Sequence, residues 1–295
     1  MGNPEKISEE SLRIIRRMQQ NEVTEAATYR AIASRVKDGE NKAVLLRLAQ
    51  EEERHAKIWE KYTGEVKKPQ RGKVLRRKIM AALLGFTFVI KLMENGEEGA
   101  QDVYGRLEQE IPESTAIREQ ENAHEDALMS MLDEERLQYV GSMVLGMNDA
   151  LVELTGTLAG LSLALQNTRI IALSGLITGI SATLSMASSE FLSAKSDGEE
   201  NAFKSCIYTG IAYLVTVTLL VLPYLIFSPE QWMFALGTML VTVVVIIAAF
   251  NYYIAVAKGL PFKRRFAEMA CISLGVAALS FVVGLLVKKF LGVDI

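Results

Sequence analysis

The sequence predicts an all-α chain in two physically different parts, a charged helical bundle followed by a group of membrane-spanning helices. Three observations carry this. Up to about residue 140, apolar residues recur every three or four positions against a charged face. From Val140 onward, long apolar runs are broken only by short polar joints. Asp38-Gly39, Gly64 and Pro69 stand where helical stretches would stop. Hydrophobic residues make up 50% of the 295, enough for a soluble domain joined to a membrane domain. We place the boundary between residues 138 and 139.

In the first part, Leu12, Ile15, Met18, Val23, Ala26 and Ile32 mark a helix from Ser8 to about Lys37. A second fits Asn41 to Tyr62, a third runs from near Lys73 to about Leu107, and a fourth follows Pro112, a residue suited to a first helical turn. The run Ile79–Ile90 is apolar almost all round but too short for a span, which needs about twenty residues. It reads as the most buried part of the third helix, with contact against a membrane as the alternative.

In the second part, spans are expected at Met143–Leu165, Ile170–Leu192, Ile207–Phe227, Met233–Ala257 and Met269–Val287, a five-helix transmembrane domain. Lys195, Lys204, Lys258, Lys263, Arg264 and Arg265 gather in the joints after the second and fourth spans, against Arg169, Lys288 and Lys289 on the other side. That bias puts the N-terminal domain in the cytosol and the C-terminus outside. Met1 to Asn21 has no apolar central stretch, which agrees with a cytosolic start.

Composition excludes several classes. A net charge of -3 with basic residues interspersed among acidic ones argues against a nucleic-acid partner. Cys206 and Cys271 both fall in apolar runs and form no CxxC pair, so neither a disulfide framework nor a zinc ribbon is indicated.

The two histidines carry the first chemical signal, since each follows a glutamate by three: Glu52-Glu53-Arg54-His55 and Glu121-Asn122-Ala123-His124. On a helix, positions i and i+3 share a face, so one turn offers a carboxylate and an imidazole to one ion. A lone Glu-x-x-His is more often a surface histidine than a ligand. Here, however, each motif has an upstream partner, Glu22 seven before Tyr29 and Glu97 seven before Tyr104, so one pattern is repeated twice. Glu25 and Glu94 lie one turn from Glu22 and Glu97, so either can replace or supplement its neighbour. Glu51, Glu53, Glu98, Glu110 and Glu125 read as solvated helix faces. Carboxylate-rich donors with one imidazole per metal suit iron(II), with manganese(II) the alternative.

This pattern over about residues 8 to 138 resembles the ferritin and rubrerythrin superfamily, whose di-iron bundles take one glutamate from each of two helices and Glu-x-x-His from each of the other two. The resemblance implies Glu22, Glu52, His55, Glu97, Glu121 and His124 as ligands of a di-iron centre, with Tyr29 and Tyr104 steadying the carboxylates. No four cysteines are available for a rubrerythrin iron–thiolate module, which disfavours a complete peroxide-reducing enzyme.

The second signal lies in the spans. Asp149 and Glu153 stand one turn apart in Val144-Leu-Gly-Met-Asn-Asp-Ala-Leu-Val-Glu153, and Met186 and Glu190 close Ser185-Met-Ala-Ser-Ser-Glu190. A carboxylate at membrane depth costs several kcal/mol and persists mostly along a pathway or beside a partner. Met186 is a soft donor candidate, as is Met147 more weakly; Gly156, Gly160, Gly175 and Gly179 read as helix-packing and dimer contacts. These segments look like the vacuolar iron transporter family over roughly residues 140 to 295. The resemblance implies a homodimer with Asp149 and Met186 in an iron path, Glu153 and Glu190 as further candidates, and exchange of iron for protons. The joint Lys195 to Lys204 offers only Glu199 and Glu200 where plant members carry a metal-binding region.

The combination resembles the membrane-bound ferritins of bacteria and archaea, described as iron exporters. It implies an integral protein of a prokaryotic inner or plasma membrane that moves Fe(II) out of the cytosol. Two alternatives stay open. The bundle could be a ferroxidase or peroxidase anchored by the spans, or a sensor that only gates a channel.

Overall fold

The computed structural model describes residues 7–37, 39–98, 111, 114, 138–199 and 201–291, and the chain divides into two compact units, Met1–Glu135 and Arg136–Ile295. Every regular element among the described residues is helical.

The first unit opens with α1 (Glu9–Ala33) and α2 (Gly39–Thr63). Ser8 caps α1 by accepting the Ser11 N–H, and Glu9 and Glu10 in the first turn favour the positive end of the helix dipole. The two helices pack over Ile15, Ile32, Val44, Leu45, Leu48 and Trp59. Gln19 then holds the following connection in place, donating to the Glu65 carbonyl (2.7 Å) and accepting from the Thr63 hydroxyl (2.9 Å). The Gln70 N–H donates to the Thr24 hydroxyl (3.2 Å), so the chain enters α3 (Arg71–Leu84) already fixed against α1.

The expected third helix departs from the sequence reading here. It breaks at Gly85, whose φ of 99° lies where a side chain would be strained, and resumes as α4 (Phe86–Glu98). The apolar run is divided by that break. Phe88, Val89 and Ile90 are buried as expected, whereas Ile79, Leu83 and Leu84 are exposed. The expected continuation to Leu107 and the helix after Pro112 lie outside the described residues.

The second unit contains α5 (Val140–Leu165), α6 (Thr168–Ser196), α7 (Ala202–Ile226), α8 (Trp232–Lys258) and α9 (Phe262–Leu291). Among the described residues four helices are long and apolar enough to cross a membrane, α6 to α9. The fifth expected span, α5, has the length but not the composition, because Asn148, Asp149, Glu153 and several Thr and Gly residues dilute its apolar character. Its position accounts for that tolerance. α5 packs against all four other helices of the unit, and Ala150, Leu151, Leu154 and Leu158 are fully buried between them.

Small residues set the spacing. A Cβ on Gly284 would meet the Gly160 carbonyl oxygen at 2.7 Å, so α5 and α9 cross backbone to backbone. Gly175 and Gly179 play the same part against Leu158, Val217 and Val221. Polar pairs join the rest: Ser162 and Tyr224 hydroxyls lie 2.7 Å apart, and the Asn251 amide donates to Met269 Sδ at 2.9 Å.

Candidate metal centre and membrane carboxylates

Each unit concentrates acidic chemistry at one place. In the first, Glu22 comes from the middle of α1, and Glu52 and His55 from one face of α2, where the i, i+3 spacing stacks them. All three are buried, and one ligand atom from each lies within 4.8 Å of the others. His55 Nδ1 stands 4.0 Å from Glu22 Oε2. It is the one such group of three among the described residues.

Electrostatics distinguish Glu22 from its neighbour. Burial, together with the charge of Glu25, pushes the Glu22 carboxyl up to about 7, although Glu52 and Trp59 beside it act in the opposite direction. Two carboxyls and an imidazole shut away from water bear a charge that a divalent cation would compensate. The donor set therefore fits a metal, and it is oxygen-rich with one nitrogen, the set that iron(II) or manganese(II) accepts. Glu25 is also buried, but its carboxylate receives the Arg77 guanidinium of α3 at 3.1 Å. Glu22 thus lies in the group of three, and Glu25, one turn on, lies in an ion pair.

Tyr29, two turns beyond Glu22 on α1, is buried as well. Glu53 points away from the cluster, forming an exposed pair with Arg30 at 2.7 Å. Glu94 and Glu97 fall in α4, but their side chains lie outside the described residues, as do Tyr104, Glu121 and His124 entirely.

In the second unit, Asp149 and Glu153 follow one another along the same exposed side of α5. Tyr213 of α7, itself fully buried, donates its hydroxyl to Glu153 Oε2 at 2.8 Å. The sequence does not distinguish this tyrosine from Tyr208 and Tyr224 in the same helix; only the packing of α7 against α5 singles it out. Met147 is buried in the apolar core, so packing accounts for it. Met186 packs half-buried at the edge of that core, and Glu190 is half-buried one turn further along α6. Among the described residues neither makes a hydrogen bond or ion pair with Asp149 or Glu153.

Four apolar helices packed round a central polar one define an integral membrane protein. Residues 140–200, comprising α5, α6 and the start of the next joint, match the family model described as the VIT family. No curated protein and no solved structure matches the chain.

Proposed function

We propose that this chain is a divalent-metal transporter that moves Fe(II), with Mn(II) the alternative cargo, out of the cytosol in exchange for protons. The observation that carries the reading is the pair Asp149 and Glu153, exposed on the central helix of a membrane unit within the segment that matches the VIT family. Lipid would reject two carboxylates on that face, so α5 fits a fifth span whose acidic side meets water or a second copy of the chain. A homodimer with the path between its copies supplies both.

The residues divide the work. Asp149 and Glu153 offer oxygens to a dehydrating cation, and Tyr213 fixes the rotamer of Glu153 so that its other oxygen stays turned to the path. Met186 and Glu190 on α6 are further candidates along the same route. Once the cation leaves, protons compensate the same carboxylates, which couples the two flows.

The N-terminal unit supports the second half of the proposal, a ferritin-like domain that captures iron(II) on the cytosolic side. Glu22, Glu52 and His55 would hold one ion, with Glu97, Glu121 and His124 the proposed completion of a di-metal set. A bound di-iron centre would supply redox chemistry, and the same cluster favours a second reading in which the domain oxidises iron(II) as well. Reconstitution tests the first reading: iron(II) uptake into proteoliposomes should be lost with Asp149→Ala and persist with Glu52→Ala. Oxidation of iron(II) by the full chain, lost with Glu52→Ala, tests the second.

A further inference from the structure

We infer that α3 lies on the surface of the bilayer, with its outer face in the headgroup region of an anionic leaflet. Arg71, Lys73, Arg76, Arg77 and Lys78 make this helix strongly basic, and no acidic residue occurs from Val66 to Met93. Among the described residues only Arg77 of these five forms an ion pair. Yet the helix also leaves large apolar side chains in the open: Leu75 is 59% exposed, Ile79 49% and Leu83 71%.

Helical geometry puts those apolar residues together. At about 100° per residue, Leu75, Ile79, Ala82 and Leu83 form one stripe, with Arg71 and Lys78 along one border and Arg76 along the other. An apolar stripe bordered on both sides by Lys and Arg is the pattern of a helix lying in a membrane interface, where the apolar side chains enter the acyl boundary and the basic ones reach phosphates. A second copy of the same face is a poor occupant, since an isologous contact would bring like charges together. The same chain also carries four helices long and apolar enough to cross a membrane, so α3 is made on a protein that resides at a lipid bilayer.

The opposite side of α3 faces the protein, where Arg77 holds Glu25 beside the Glu22 cluster. The inference rests on the chain spanning a bilayer and is independent of which ion is moved.

The test uses the full chain with Cys206→Ser, Cys271→Ser and Ile79→Cys, a nitroxide on the new thiol, and nanodiscs of phosphatidylcholine with or without phosphatidylglycerol. In anionic discs the ratio of oxygen to water-soluble nickel-chelate collisions should exceed that in neutral discs by at least about threefold, and Arg71→Gln with Arg76→Gln and Lys78→Gln should abolish the difference. Equal water access in both disc types overturns the proposal. So does nitroxide–nitroxide broadening that persists in detergent, which would assign the face to a second copy. Neither failure touches the transport reading, which is measured through Asp149.

Discussion

Arg77 reaches from α3 to Glu25 on α1 at 3.1 Å, and this contact separates two glutamates that the sequence leaves equivalent. Glu25 is neutralised by a guanidinium, while Glu22, one turn away, faces Glu52 and His55. Removing the Glu22 carboxylate therefore removes a donor from the cluster, and removing Glu25 does not. Glu22→Ala should weaken manganese(II) binding to the full chain by at least about tenfold, and Glu25→Ala by much less. Calorimetric titration checks the contrast, and equal losses would contradict it.

Arg77→Ala should destabilise the N-terminal unit, because it leaves the buried Glu25 carboxylate without its cation. Arg77 is partly exposed, so the cost is about 2 kcal/mol, less than for a fully buried pair. Glu25→Gln in the same background should recover most of it. A melting experiment on the full chain in detergent reads both changes.

Glu22 also predicts a pH dependence for metal-free protein. Its carboxyl sits at about 7 in the fold against 4.5 for the unconstrained group. Between those values the folded chain keeps a proton that the unfolded chain has released. The contribution is therefore fully present below about 4.5 and is lost as pH rises through 7. Across that window wild type should lose about 3 kcal/mol relative to Glu22→Gln. Denaturation of both proteins at a series of pH values measures the difference, and a constant gap would contradict the burial argument.

Tyr213→Phe removes the donor to Glu153 with little change in volume. Melting should fall by an amount that reflects a hydrogen bond to a charged group, about 1.5–3 kcal/mol, and iron(II) uptake per correctly folded protein in proteoliposomes should fall by about tenfold besides. A structural role alone would lower stability and leave the uptake of the surviving protein unchanged.

Much of this arrangement was legible in the chain itself. Apolar run lengths located α6 and α8 to within about four residues and found α7 and α9, whose first turns, with Lys204 and with Lys263 to Arg265, are more polar and start five and seven residues earlier than expected. The spacing Glu52 to His55 foretold one buried face, since it is a property of the helix alone. What the sequence left open depended on distant partners. Nothing near Glu22 or Glu25 reveals that Arg77, far along the chain, will claim one of them. The exposure of Ile79 and Leu83 was likewise hidden, because an apolar run reads as core until Gly85 is seen to break the helix. Tyr213 looked like another aromatic in a span until α7 brought its hydroxyl to Glu153.

Transport through the α5 carboxylates is tested most directly by iron(II) flux into proteoliposomes containing wild type, Asp149→Ala or Glu52→Ala protein. Asp149→Ala should abolish flux, whereas Glu52→Ala should retain it at saturating iron(II). Undiminished flux with Asp149→Ala would contradict it.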